Sequence, residues 1–379
     1  MAHYASSHTT SETTVLRRAW VEAKAGHYAP TLQALAPYPH HHSDQIDLLR
    51  AVCLAATGQT QEAAHLLCRL ACKTPAEQHP LHIVAELLIA QDRRADLVPV
   101  CQAAFYQTPH DARVHEVLGS ILVQLGQYDA GIEHLHQSVA LQPHNTTSIN
   151  LLAMALYERG DITEAVALLK SALALFPNHA GTLSNLGCVL SGLGRLQEAL
   201  TFYNHAIQTY PNHAQIRLNH SIALLKAGRY AQGWREHEWR LQLPGHTSLP
   251  TTTLMPTLNA PGRPETDIRG KRILITQEEG LGDTLMYLRY IEPLAKRGAI
   301  PHLWVPQTLG ALCQKVKGAA FVQVGGEVPE FDWHCPFISL PRVFSATPYA
   351  MGATIPYLRA DAAKVRHFAR YVPHNGNLN

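Results

Sequence analysis

Six leucines recur every 34 residues along this chain, at Leu54, Leu88, Leu122, Leu156, Leu190 and Leu224. Three residues ahead of each stands a small side chain: Ala51, Ala85, Gly119, Ala153, Gly187 and Ser221. Prolines keep the same period at Pro75, Pro109, Pro143, Pro177 and Pro211, and glycines at Gly126, Gly160, Gly194 and Gly228. A fixed period with small, large and helix-stopping residues in register predicts a solenoid of helix pairs. Small residues let two helices approach, and the leucine fills the space between them. Glycine turns the chain inside the pair, and proline, which has no N–H to donate, ends the second helix. An array of this kind is a binding surface first, whatever is attached to it.

The positions match the tetratricopeptide pattern: small at the eighth, large and apolar at the eleventh, small near the twentieth and twenty-seventh, proline near the thirty-second. Ala63, Ala165 and Ala199 fill the twentieth position, and Ala104, Ser138, Ala172 and Ala206 the twenty-seventh. Residues 12–245 are therefore expected to form the array, six good repeats after a degenerate first one, with 1–11 as a disordered tail. In such arrays a groove lined by the first helices holds a protein or peptide. Asn185 and Asn219, at the sixth position of successive repeats, resemble the peptide-binding asparagine ladder of O-linked N-acetylglucosamine transferase. They are candidate groove residues, and polar side chains on an exposed face are the equally weighted alternative.

At 379 residues there is room for a second unit, and 46% apolar with 16% charged residues describes an ordered protein. The net charge of +2 gives no reason to expect a nucleic-acid or anionic-membrane partner. Residues 246–379 carry 14 Lys/Arg against 10 Asp/Glu, which suits a phosphate-bearing ligand. Seven cysteines without a CxxC pair read as buried thiols of a reducing compartment. With no secretory start and no membrane-length apolar run, the expected location is cytoplasmic. His40, His41 and His42 follow Pro39 in an expected loop with no cysteine nearby, so no metal site is expected there. No cofactor is expected.

After the repeats, Trp234 and Trp239 on the helix YAQGWREHEWRL suggest packing against a following domain rather than a solvent cap. A Pro/Thr-rich stretch, 246–268, reads as a linker. From Arg269 short apolar runs alternate with helical ones: strands at 273–275, 302–305 and 321–324, helices from Asp283 to about Arg297 and from Gln307 to Lys317. This order predicts a parallel, doubly wound sheet over 269–370, followed by a polar tail, 371–379. The GLGD turn lies at the carboxyl end of the first strand, where such sheets bind ligands. Leu285 occupies the third glycine position of a dinucleotide fingerprint, so NAD is disfavoured. Asp283 has two readings: an N-cap, or a general base deprotonating a sugar hydroxyl.

The blocks KRILITQEEGLGDTLMYLRYIEPLAKRGA, FDWHCPFISLP and IPYLRAD, preceded by GW..HEWR, together resemble bacterial tetratricopeptide–glycosyltransferase fusions. Their transferase part is similar to the heptosyltransferases and, more distantly, to O-linked N-acetylglucosamine transferases. The resemblance implies an α solenoid followed by a Rossmann-like lobe, the N-terminal half of a GT-B fold. It implies Asp283 as catalytic base and Gly280, Gly282 and Thr284 as the phosphate or substrate turn; His334 and Ser339 match a recurrent HCP..SLP block of these fusions and are read as either structural or acceptor-side residues. A donor lobe is not expected after residue 370. The chain is then expected to be a binding scaffold with an acceptor-side lobe. The alternatives are a transferase whose donor lobe, with its nucleotide sugar, comes from another chain or a dimer, and a vestigial lobe. An unpaired lobe face is also expected to expose an apolar patch that favours self-association.

Overall fold

The computed structural model describes residues 4–40, 42–74, 79–245, 249–258, 266–278, 280–350 and 355–371. His41 of the histidine cluster, Pro75 of the periodic prolines and the tail from 372 lie outside them. Two compact units divide between Val189 and Leu190, and each is described by itself.

The first unit is a succession of antiparallel helix pairs: α1 (Tyr4–Lys24) with α2 (Tyr28–Leu35), α3 (Asp44–Ala56) with α4 (Thr60–Ala71), and α5 (Pro80–Ala90) with α6 (Leu97–Gln107). There follow α7 (Ala112–Gln124) with α8 (Tyr128–Leu141), α9 (Thr146–Arg159) with α10 (Ile162–Leu175), and α11 (Ala180–Gly192), in which the division falls. Helix α1 starts at Tyr4, inside the segment expected to be a disordered tail. Once the stretch around Leu16–Lys24 is helical, each added residue gains a backbone hydrogen bond without a new nucleus, so the helix extends through the polar residues ahead of it.

The period has the packing meaning its residues predict. All six leucines from Leu54 to Leu224 are buried, and Gly26, Gly58, Gly126, Gly160, Gly194 and Gly228 all take positive φ. Asp92 stands where the third repeat would carry its glycine and adopts the left-handed conformation itself, at φ 57°; a short polar side chain makes that tolerable. Helices α7 and α8 meet backbone to backbone. A Cβ on Gly119 would stand 2.8 Å from the Gly131 carbonyl oxygen, and one on Gly131 the same distance from that of Gly119.

The second unit begins with the last helices of the period, α12 (Leu196–Thr209), α13 (Ala214–Lys226) and α14 (Tyr230–His237), which ends in a 3-10 turn, Glu238–Gln242. A parallel four-stranded sheet comes next: β1 (Arg272–Thr276), β2 (Ile300–Val305), β3 (Phe321–Val324) and β4 (Trp333–Pro336), in the order β3-β2-β1-β4. Central β1 is apolar on both faces, with Ile273, Leu274 and Ile275 fully buried, as a strand covered on both sides requires. The crossovers carry α15 (Leu281–Tyr287), α16 (Ile291–Lys296) and α17 (Gln307–Cys313); α18 (Leu340–Val343) follows β4, and α19 (Ala362–Phe368) lies exposed near the end of the described chain.

Three sequence expectations need correction. The stretch 246–268 is not a free linker where it is described: Met255, Leu258 and Ile268 are buried in the sheet's core. Leu254 pairs with His334 along the outer edge of β4, and Met255 N donates to His334 O at 2.8 Å. A few apolar residues spaced among prolines and threonines suffice to anchor it. Strand β4 is an addition to the three expected strands, because WHCP carries little apolar periodicity. The helix after β1 starts at Leu281 with Gly280 at the N-cap, so Asp283 is not the capping residue.

Trp234 does pack against the chain beyond the repeats, donating through Nε1 to Ala346 O at 3.1 Å, while Trp239 turns its ring under Arg217 at 4.6 Å. Between them in sequence, Glu238 reaches the segment after β4, and Arg240, one residue past Trp239, reaches the carboxyl ends of both β1 and β4. Arg240, 1% exposed, donates to Glu278 Oε2 at 2.7 Å, to Ser339 Oγ at 2.8 Å and to Glu238 Oε1 at 3.0 Å. Arg342 Nε lies 3.1 Å from Glu238 Oε2. Burial pulls the Arg240 guanidinium pKa down, yet Glu278 and Glu238 outweigh it and leave it raised. The cation is thus firmly charged among two carboxylates and a hydroxyl.

Two consequences are measurable by thermal and denaturant unfolding. Gly119→Ala forces α7 and α8 apart and is expected to cost about 1–3 kcal/mol, the usual range for overpacking; a variant as stable as the parent would contradict the backbone contact. Arg240→Ala strands Glu278 without its cation and is expected to cost about 3–5 kcal/mol. The double change Arg240→Met with Glu278→Leu is expected to recover much of that loss, and an equal loss in both variants would show that shape rather than charge carries the contact.

Candidate functional site

Among the described residues, each unit gathers polar side chains near open space. In the first unit, α5, α7 and α9 are the first helices of successive repeats. They line a groove of about 860 Å³ with His82, Glu86, Arg113, Glu116 and Thr147, closed at one end by the turn Gln142–Asn145. An adjoining pocket of about 160 Å³ shares His82, Glu86, Glu116 and Thr147 and adds apolar lining from Ala85, Ile89, Val117, Ile121 and Leu151.

Glu116 organises this groove. Its side chain is 4% exposed, and its carboxylate accepts from Asn145 Nδ2 at 2.8 Å and from Ser148 Oγ, with His82 Nε2 at 3.4 Å. Asn145 does double duty, since its Oδ1 caps α9 by accepting from Thr147 N and Ser148 N. Burial lowers the His82 pKa, against the opposing pull of Glu116. One step along, His79 Nε2 lies 3.3 Å from Asp111 Oδ2. Burial raises the Asp111 carboxyl, but His79 and the backbone amides of Arg113 and Val114 outweigh it and leave it lowered. The groove thus offers a fixed carboxylate, imidazole edges and the Arg113 guanidinium beside an apolar pocket, groups able to hydrogen-bond or ion-pair with a polar chain.

The asparagines singled out by the sequence lie elsewhere. Asn185, on α11, donates to Asn150 Oδ1 at 2.9 Å, and Asn150 donates in turn to Thr182 Oγ1 at 2.8 Å and Thr146 O at 2.7 Å. Asn219, on α13, accepts from Gln215 of its own helix at 3.0 Å. Glu116 and Asn145 escape notice in the sequence because each reads locally as a helix-surface or capping residue.

In the second unit the strand order reverses between β1 and β4, and there an open sheet offers a crevice. The Arg240 cluster fills it. His334 and Ser339 are both buried: His334 Nδ1 pairs with Thr253 Oγ1 at 3.1 Å, and Ser339 Oγ with Glu238 Oε1 at 2.9 Å. Asp283, in the first turn of α15, is half-buried, with Oδ2 3.5 Å from where a Cβ on Gly280 would stand. A carboxylate is well placed at that helix start. Tyr287 has a raised pKa, first from burial and then from Asp283, with Arg240 opposing. Thr284 is buried, while Gly280 and Gly282 lie toward the surface; a Cβ on Gly282 would meet nothing within 4 Å. On the other side of β1, a cleft of about 450 Å³ opens at the carboxyl ends of β1, β2 and β3.

Among the described residues no group of three or more His, Cys, Asp or Glu is disposed to hold a metal, and no helix is long and apolar enough to cross a membrane. The cysteines are free thiols; Cys53, Cys101, Cys313 and Cys335 are buried, whereas Cys72 is exposed. Burial pushes the Cys53 and Cys101 thiols up to about 12.

The sequence matches the tetratricopeptide repeat family over residues 144–212 and again over 112–145. It is similar to the protein FlbA of Caulobacter vibrioides, with 31% identity over 156 residues, 37% of this chain. The chain spans only 23% of that protein's length. Among solved structures it is similar to a thermophilic tetratricopeptide protein of Thermus thermophilus, at 24% identity and TM-score 0.40, covering 45% of this chain and 92% of that one. It is also similar to YrrB, described as a tetratricopeptide protein with an unusual peptide-binding site, at 17% identity and TM-score 0.32, covering 43% and 84%. Residues 112–212 of this chain are tetratricopeptide repeats.

Proposed function

We propose that the chain is a protein-binding scaffold whose repeats hold an extended peptide along α5, α7 and α9. The observation that carries this reading is Glu116. A carboxylate this deeply buried is fixed in place by Asn145 and Ser148 and faces an open groove lined by His82, Glu86 and Arg113. Fixed polar groups beside an apolar pocket let a ligand's main chain and side chains be bound at little ordering cost to the protein. Peptides selected by display on the full chain are expected to lose about tenfold or more in affinity with Arg113→Ala or Glu86→Ala. Thermal midpoints should stay unchanged, since neither side chain is part of the core. Peptides that bind both variants as tightly as the parent place the ligand outside this groove.

The attached α/β unit we read as a sugar-handling lobe of Rossmann-like type, resembling the acceptor half of a glycosyltransferase and covering roughly 254–371. Support comes from the parallel order β3-β2-β1-β4 and from Asp283 in the first helical turn after β1, where Gly280 is the N-cap. If a donor lobe is supplied by another chain or a dimer, Asp283 is the base that accepts the sugar hydroxyl's proton. Label transfer from UDP-, GDP-, ADP- or dTDP-sugars in cell extract supplemented with the protein should then vanish with Asp283→Asn. Undiminished transfer in that variant removes the base role.

A further inference from the structure

The cleft over β1, β2 and β3 is separate from both the Arg240 cluster and the Asp283 turn, and its chemistry is narrow. Thr276, Trp304 and Gln323 are register partners across β1, β2 and β3, so they form one rung at the carboxyl end of the sheet. Thr276 and Trp304 line the cleft with Gln277, Gln307, Val324 and Gly325. None of the described lining residues is charged. Thr276 is 5% exposed, and its Oγ1 is buried with no hydrogen-bond partner among the described residues. A buried hydroxyl left unpaired is costly, and a ligand that bonds to it recovers that cost.

The indole is held. Trp304 Nε1 donates to Gly325 O at 3.1 Å, and Gln323 Nε2 donates to the same carbonyl at 2.9 Å. With its N–H used on the protein, Trp304 has only its ring to offer a ligand. Gly325 takes φ +63°, and a Cβ there would meet nothing within 4 Å, so the rim is open beside the ring. An aromatic ring, two carboxamides and a lone hydroxyl, with no cation or anion, match a small neutral ring that has an apolar face and a hydroxylated edge. Phosphorylated or acidic ligands would lose their hydration and find no counter-charge.

We infer that this cleft is a binding subsite for an uncharged sugar ring, stacked against Trp304 and hydrogen-bonded by Thr276, Gln277 and Gln307. The inference rests on reading the α/β unit as a sugar-handling lobe, and it specifies the ring held in this cleft as neutral rather than phosphorylated or acidic.

The full chain, labelled with 5-fluorotryptophan, is titrated by fluorine NMR, with the Trp304 resonance identified by its loss in Trp304→Phe. The probes are the methyl glycosides of glucose, galactose and N-acetylglucosamine, then glucose 6-phosphate, glucuronic acid, uridine and adenosine. One or more methyl glycosides should shift the Trp304 signal saturably below about 50 mM, while the charged sugars should not. Gln307→Ala, at an exposed position, and Thr276→Val, which keeps the shape of β1, should each weaken binding about three- to tenfold. No glycoside shift, or equal shifts with glucose 6-phosphate, overturns the inference. Shifts by uridine or adenosine alone also overturn it, and they remove support for a sugar-handling lobe as well. Glycoside binding seen by saturation transfer, with Trp304 unmoved and both variants unimpaired, overturns the cleft while leaving the sugar-handling reading standing.

Discussion

Close approach of paired helices is the constraint on which the array depends. Where α7 crosses α8, Gly119 and Gly131 bring two backbones together, and the leucines one turn on seal the space around such crossings. A helix pair held this tightly exposes its first-helix face at a fixed spacing to the next pair, and the groove is the sum of those faces. Glu116 is held there by Asn145 and Ser148, on a helix whose Gly119 lies against the Gly131 backbone. The shape of the groove is therefore set by residues buried behind it.

The second unit depends on a different kind of contact. A buried guanidinium with two carboxylates is seldom a net gain over apolar packing, but it tolerates no displacement. Arg240 bonds Glu238, Glu278 and Ser339 together and so ties the helical end to the carboxyl ends of β1 and β4. It also occupies the crevice that the strand reversal creates, leaving the sheet's open space on the other side of β1.

Much of this is legible in the residues, because periodic packing writes itself into periodic sequence. The glycine turns, the buried leucines, β3 over Phe321–Val324 and the inward role of Trp234 follow from side-chain size and backbone freedom alone. Asp92 is invisible as a turn residue because it breaks the glycine pattern while keeping the glycine conformation. Met255 and Leu258 are hidden in a stretch whose prolines and threonines speak for irregular structure. The site residues are the least legible. Asn185 and Asn219 stand out by analogy of position, whereas Glu116, Asn145 and the rung of Thr276, Trp304 and Gln323 acquire meaning only when distant segments are placed together. Asp283 stands at the expected turn, yet nothing in its local sequence separates a base from a cap; the start of α15 at Leu281 removes the cap.

Repeat arrays change length readily, because each unit meets only its neighbours. The ion cluster at Arg240 limits where that freedom applies. A whole repeat can be gained or lost upstream with its neighbours merely exchanging like surfaces. The last helix pair has no such equivalent, since α14 runs straight into the residues that hold the sheet. The array can thus change length at its front without touching the sheet, whereas its final helix and the α/β part make one packed piece.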